Sequence, residues 1–372
     1  MKLTAVSTYL VAASESPDGW SGIKPFLFVK LETDSGIEGW GEAYALAGRE
    51  TAIEQIILSL TRGFLGQEVI GPRTMRQTAI LDFADKRTGI DFFCALSALE
   101  LALWDLQGKR IGAPVHELLG GALRNAIPLY VNTWSDQLPS AEMVVERTRK
   151  LKADGYRAVK VYPMQYPDLN QAEDFLRAVR EAVGPETDVM VDLNALNDPY
   201  LALQAARRFE PYDLFWFEEP VTSDDLDLLG EIRSQVPMRV VSGERHGGKF
   251  KFREMLTARV ADVLNPDIVG CGGILELLEI SALAESFSVA VSPHNYNSTT
   301  IAMAAMLQVS AVIPNLLTAE LYPDYLDAGR RFADVDFDIA GGYASLPFSH
   351  GLGVTMNEDA LNGLSRKTSI SA

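Results

Sequence analysis

The spacing of apolar residues changes character twice along this chain. Over residues 1–45 apolar and polar positions alternate as strands do. Met1–Ala13 reads as a first strand, and Lys24–Thr33 and Ile37–Tyr44 form a hairpin around Asp34-Ser35-Gly36. A polar loop, Ser14–Gly22, lies between the first two strands and contains Trp20. Helical periodicity then takes over in Glu50–Leu60, Arg73–Asp85 and Phe92–Lys109, the last with Leu96, Leu99, Leu103 and Leu106 on one face. Gly108, Gly112-Ala113-Pro114 and Gly120-Gly121 close this α+β segment.

From Ile127 short apolar runs alternate with amphipathic helical stretches. The runs are Ile127–Val131, Ala158–Tyr162, Val189–Leu193, Leu214–Phe217, Arg239–Ser242, Ala261–Leu264, Val289–Val291 and Leu316–Ala319. Ala141–Ala153, Gln171–Val183 and Leu275–Ser286 are examples of the intervening helices. Eight strands alternating with helices predict a parallel barrel, an α/β fold whose reactive groups sit at the carboxyl ends of the strands. After Leu321 the regularity is lost, and the tail is expected to run back onto the amino-terminal segment. The expected division is 1–125, 126–321 and 322–372.

Composition narrows the function. At 47% hydrophobic and 22% charged residues the chain has the balance of a globular protein. No apolar run reaches the 18 or so residues of a membrane span. Lys2 and the apolar residues after it imitate a secretory signal, but Thr4, Ser7 and Thr8 interrupt them, so a cytoplasmic protein is expected. Cys94 and Cys271 lie far apart and suggest neither a disulfide framework nor a thiolate metal site. A net charge of −17 argues against nucleic acid or an anionic membrane as partner. An anionic ligand would need local attraction, which a bound divalent cation supplies.

The predicted strands end in polar residues at a nearly constant interval: Lys160, Asp192, Glu218, Glu244, Asp267, His294 and Glu320, separated by 32, 26, 26, 23, 27 and 26 residues. One strand, one helix and two loops need about that length, given ~250 residues for eight such units. These seven residues therefore occupy equivalent places around one rim. Asp192, Glu218 and Glu244 form an all-oxygen set that suits a hard cation, Mg²⁺ before Mn²⁺ or Ca²⁺. Taken singly, each reads as readily as a helix cap or surface acid; the shared interval is what joins them.

Asp267 and His294 make an acid–base pair, the carboxylate fixing the tautomer of the imidazole. Lys160 and Tyr162, two apart on the second barrel strand, project to the same side, towards the axis and across from His294. A desolvated lysine beside a metal can lose its proton near neutral pH. Alternatively, Lys160 snorkels to the rim with Tyr162 packed beneath it. Glu320 could donate a hydrogen bond to a developing oxyanion if it is protonated, or be a loop acid.

Several of these stretches resemble the mandelate racemase subgroup of the enolase superfamily. They are Val191-Asp192-Leu193-Asn194, Trp216-Phe217-Glu218-Glu219-Pro220, Ser242-Gly243-Glu244, Asn265-Pro266-Asp267 with Gly272-Gly273, and Ser292-Pro293-His294. Gly39-Trp40-Gly41-Glu42, Ala102-Leu103-Trp104-Asp105-Leu106 and Leu118-Leu119-Gly120-Gly121 extend the resemblance to the amino-terminal third. The resemblance implies a modified TIM barrel, (β/α)7β, with an α+β capping domain completed by the carboxyl-terminal tail. It implies Mg²⁺ on Asp192, Glu218 and Glu244, the Asp267–His294 dyad as base or acid, and Glu219 in support. It further implies a carboxylate substrate with an α-hydrogen, often an acid sugar, gripped by the loops Ser14–Pro25 and Tyr44–Arg49. Trp20, Tyr44 and Asn194 are the contacts expected from it, and a homo-oligomer, dimer or octamer, is the assembly.

One departure bears on mechanism. The subgroup's second barrel strand reads Lys-x-Lys, whereas this chain reads Lys160-Val161-Tyr162. A tyrosinate base requires a pKa brought down from ~10 by a neighbouring cation, and Lys160 is the expected one. The expected reaction is loss of water from an acid sugar to a 2-keto-3-deoxy product. Tyr162 with Lys160, or His294, takes the α-proton, and an acid, His294, assists the leaving hydroxyl. Racemisation, epimerisation or cycloisomerisation of a related acid is the alternative, and a sugar-acid binding protein without turnover is a third reading.

Overall fold

Gly39 and Gly41 allow the amino-terminal sheet to lie directly on a helix. A Cβ on Gly39 would stand 2.2 Å from the carbonyl oxygen of Ala102, and one on Gly41 1.9 Å from that of Ala98. Only glycine permits that approach. The computed structural model describes residues 1–12, 24–46, 48–134, 140–166 and 168–372. Strands β1 (Leu3–Val11), β2 (Phe26–Thr33) and β3 (Glu38–Ala43) are antiparallel in that order, and the tail strand Ser365–Ser371 pairs with the free edge of β1. The helices are α1 (Glu50–Arg62), α2 (Pro72–Thr78) and α3 (Ile90–Ile111). The predicted helix Arg73–Asp85 is thus shorter, giving way to a π turn over Ala79–Phe83.

The second unit begins after the short helix α4 (Val115–Leu118). Its strands are β4 (Ala126–Asn132), β5 (Ala158–Val161), β6 (Asp188–Asp192), β7 (Leu214–Glu218), β8 (Arg239–Ser242), β9 (Val263–Leu264), β10 (Ala290–Val291) and β11 (Ala319–Leu321). They run parallel from β4 to β10, and β11 pairs with β4. The ring is completed by Leu317 N donating to Val291 O at 2.8 Å and Val291 N to Asn315 O at 2.9 Å. Regular pairing of the last strand falls at Ala319–Leu321 rather than the predicted Leu316–Ala319, so Glu320 sits inside a strand. The interior is polar there, which makes an inward acid tolerable.

Helices α5 (Ala141–Ala153), α6 (Leu169–Val183), α7 (Pro199–Phe209), α8 (Leu226–Gln235), α9 (Lys249–Ala258), α10 (Ile274–Ser286) and α11 (Thr300–Val312) cover the outside. Inward positions alternate along each strand, as the pleat requires. Tyr130, Ala158, Met190, Trp216, Val241 and Val263 form an apolar cluster low in the barrel. Two residues further along the same strands stand Asn132, Lys160, Asp192 and Glu218, and this upper tier is polar.

Two buried glutamates lock the sheet-and-helix unit onto the barrel. Neither α10 nor α11 has a capping side chain of its own. Glu100 of α3 accepts from Ile274 N at 2.8 Å and Leu275 N at 3.0 Å, capping α10. Glu42 of β3 accepts from Thr299 N at 2.6 Å and Ala302 N at 3.0 Å, capping α11. A carboxyl oxygen at a helix amino terminus satisfies otherwise orphaned donors. A Cβ on Gly273 would lie 2.3 Å from Glu100 Oε2, so that glycine makes room for the cap. The tail serves both units: besides its strand on β1, Tyr343–Ser345 pairs antiparallel with β4. Among the described residues no helix is long and apolar enough to cross a membrane.

Candidate active site

At the carboxyl ends of the strands, Asp192, Glu218 and Glu244 each offer a carboxylate oxygen, all within 4.8 Å of one another. Among the described residues, Glu218 Oε2 is buried without a hydrogen-bond partner, and Glu244 Oε2 has no hydrogen bond and only the His294 Nε2 facing it at 3.2 Å. Buried acceptors of that kind are costly unless a cation takes them up. Asn265 braces the set, its Nδ2 donating to Glu218 Oε1 at 3.0 Å and its Oδ1 accepting from Glu244 N at 3.1 Å. Glu219 turns away in a left-handed conformation, φ +41°. Its Oε1 accepts from Ser242 Oγ at 2.6 Å and Gly243 N at 3.1 Å, just before Glu244. These three carboxylates are the residues that could hold a metal.

Lys160 is fully buried beneath them. Its Nζ lies 2.8 Å from Glu218 Oε1, 2.9 Å from Glu320 Oε1 and 3.7 Å from Asp192 Oδ2. The ring of Tyr130 closes the other side, 5.5 Å away. Snorkelling to the rim is therefore excluded. Burial favours the neutral amine, but Glu218 and Glu320 hold the Lys160 pKa well above its ordinary value. Without a cation on the triad, this charge set keeps Lys160 protonated. Lys160 pulls the Tyr162 pKa down, yet without a cation burial outweighs that pull and holds it well above its ordinary value.

His294 follows β10 and is anchored by its Nδ1, 2.7 Å from Asp267 Oδ2. Its Nε2 faces Glu244 Oε2 at 3.2 Å and Glu320 Oε2 at 3.5 Å. Burial would lower the imidazole pKa, but Glu320, Glu244 and Asp267 push it up to about 10. Glu320 runs the other way. Burial would raise it, while Lys160 and His294 bring it down to about 2, with Asn295 N donating to Oε2 at 2.9 Å. In this charge set Glu320 is an ionised acceptor, not the neutral donor considered from sequence. It links Lys160 to His294 from opposite sides of the barrel.

These groups open into a cavity of about 550 Å³ lined by Tyr162, Asp192, Asn194, Glu244, His294 and Tyr44, among others. Asn194, at φ +52°, donates from its backbone to Asp192 Oδ1 at 2.8 Å and accepts from Arg245 Nη2 at 2.6 Å. Trp20 lies outside the described residues. Sequence reading passed over Arg245, Trp134 and Tyr296, which also line the cavity. It also passed over Asn132, whose Nδ2 lies 2.7 Å from Tyr162 Oη and 2.8 Å from Glu320 Oε1. Asn132 ends the first barrel strand 28 residues before Lys160, so the strand-end interval extended by one step reaches it.

Comparison with known proteins agrees with this geometry. Residues 142–360 match the family described as enolase C-terminal domain-like, and residues 20–120 match the mandelate racemase/muconate lactonizing enzyme N-terminal domain. A D-gluconate dehydratase of Thermoproteus tenax is 31% identical over 347 residues, covering 90% of this chain and 69% of that one. A D-galactarolactone cycloisomerase of Agrobacterium fabrum is 29% identical over 381 residues, covering 97% and 98%. The crystal structure of an enolase from environmental sequencing of the Sargasso Sea superposes with a TM-score of 0.95 at 34% identity, covering 100% of this chain and 98% of that one. The chain belongs to the mandelate racemase/muconate lactonizing enzyme family of the enolase superfamily.

Proposed function

We propose that this protein is a Mg²⁺-dependent hydro-lyase that removes water from an acid sugar, mono- or diacid, to give a 2-keto-3-deoxy acid. One observation carries the reading: Asp192 and Glu244 of an all-carboxylate triad line the same cavity as the Asp-anchored His294 and Tyr162, with Glu218 and Lys160 fully buried behind them. Three carboxylates with no nitrogen or sulfur donor suit Mg²⁺. Held by Asp192, Glu218 and Glu244, the ion would supply Lewis-acid stabilisation of the charge that develops on the substrate carboxylate.

The protein's own groups divide the proton work. Asp267 keeps the Nδ1 proton of His294 in place, so Nε2 is the reactive end, and its high proton affinity suits an acid for the departing β-hydroxyl. The α-proton goes to the Lys160–Tyr162 side. Without a cation Lys160 holds its proton through Glu218 and Glu320. With Glu218 taken up by the ion that hold would weaken, leaving the Lys160 amine to accept the α-proton, directly or through Tyr162. Glu320 balances Lys160 and His294 between them.

Incubation of protein and Mg²⁺ with a panel of aldonic and aldaric acids, read by semicarbazide absorbance, should reveal a keto product from at least one. Absence of product from every acid overturns the reading. Cycloisomerisation of a related lactone is the second reading, favoured by the Agrobacterium relative's name and its near-complete coverage of this chain. Solvent deuterium entering the α-position without release of water distinguishes it.

A further inference from the structure

Asn132 is fully buried at the end of β4, and its carboxamide orientation follows from its partners. The backbone N–H of Trp134 donates to Oδ1 at 2.9 Å, and a backbone amide can only donate. Nδ2 is therefore the donor end. It lies 2.8 Å from Glu320 Oε1, which accepts, and 2.7 Å from Tyr162 Oη. An amide group has two hydrogens, and these two contacts use both. Asn132 consequently has none left for a substrate, and the phenolic oxygen of Tyr162 has no choice about its role towards Asn132: it accepts. The O–H of Tyr162 must then point elsewhere, and Tyr162 lines the cavity.

We propose that Asn132 is a positioning residue that aims the proton-carrying side of Tyr162 at the substrate. With Tyr162 protonated, the N–H of Asn132 turns the O–H into the cavity. With that proton gone, the same N–H donates to the phenolate and the free lone pairs face the same way. Because the second hydrogen is tied to Glu320, the amide cannot swing out of this arrangement without leaving a buried carboxylate short of a donor. The proposal rests on the reading that proton transfer occurs in this cavity, and it adds the element that orients Tyr162.

The test uses the full-length protein labelled with ¹³C at tyrosine Cζ, with the Tyr162 resonance assigned from Tyr162→Phe. Asn132→Leu keeps the branched outline and removes both donors; Asn132→Ala is the fallback if the larger side chain disturbs folding. The Tyr162 resonance is expected to move while the other tyrosine resonances stay. On an acid that the wild type dehydrates, kcat is expected to fall about 100-fold, the scale for a misplaced reacting group, with KM and Mg²⁺ affinity within about threefold of wild type. An unmoved Tyr162 resonance overturns the proposal, as does a loss that appears in KM or in Mg²⁺ affinity instead of kcat. If the wild type turns over no acid sugar, the functional reading fails, and the resonance alone still decides whether Asn132 orients Tyr162.

Discussion

Lys160 Nζ stands 2.8 Å from Glu218 Oε1, so a buried lysine and a candidate metal ligand hold each other's charge. Glu320 shares the same ammonium at 2.9 Å. Removing Lys160 leaves two buried carboxylates without a counter-charge, which costs about 3–5 kcal/mol where the pair is desolvated. A divalent ion on the triad supplies positive charge in the same place. Lys160→Met is therefore expected to lower the melting temperature strongly in EDTA and to recover much of it with Mg²⁺, a larger Mg²⁺ effect than wild type shows. Equal melting temperatures of the two proteins in EDTA would contradict this electrostatic role.

The Asp267–His294 contact sets which imidazole nitrogen faces the cavity. Asp267→Asn retains the shape but can present an N–H to Nδ1, reversing the tautomer and turning Nε2 into the wrong partner for proton transfer. General acid–base groups contribute about 10²–10⁴-fold. A fall of that size in kcat at saturating Mg²⁺, with KM little changed, is the expected outcome in steady-state kinetics. A variant with wild-type kcat would remove His294 from the chemistry.

What could be read from sequence was whatever repeats with the barrel. The interval between strand ends placed Asp192, Glu218 and Glu244 together because a strand-helix unit has nearly constant length, and the same period set His294 opposite Lys160. Interactions outside that period were illegible. Glu42 reaches a helix 257 residues away in the chain, and nothing local marks it as a cap. The proton states of Lys160, Tyr162 and Glu320 could not be read for another reason. Each is a sum over burial and several charges, and naming one neighbour does not give its sign. Asn132 stands in the repeat, but an amide at a strand end carries no charge to draw notice.

Glu219 is expected to bear on metal affinity without offering an oxygen to the triad. By holding Ser242 Oγ and Gly243 N it fixes the turn that delivers Glu244, and its Oε2 stands 3.4 Å from Arg245 Nε. Groups that orient metal ligands are worth about 10–100-fold in affinity. Glu219→Ala is expected to weaken Mg²⁺ binding by that factor in calorimetric titration, with kcat largely restored at high Mg²⁺. Unchanged affinity would show that the turn holds its shape without this carboxylate.

Glu42 supplies a pH-dependent part of the docking between the two units. Burial pushes its carboxyl from an ordinary 4.5 up to about 7, against the pull of the Ala302 and Thr299 donors. Between those two values the folded protein keeps a proton that the unfolded chain has released. Stability from this group is thus fully present below pH 4.5 and is lost as pH rises towards 7. Glu42→Gln carries no such proton, although its amide meets the Ala302 N–H with one acceptor too few and starts at a disadvantage. The advantage of wild type over Glu42→Gln is therefore expected to shrink from pH 5 to pH 7.5, by up to about 1.4 kcal/mol per unit crossed. Urea midpoints of both proteins at the two pH values, in one buffer series without metal, measure the difference and cancel every other titrating group the two share. A gap that stays constant or widens with pH would mean that Glu42 is already ionised at pH 5, its donors outweighing its burial.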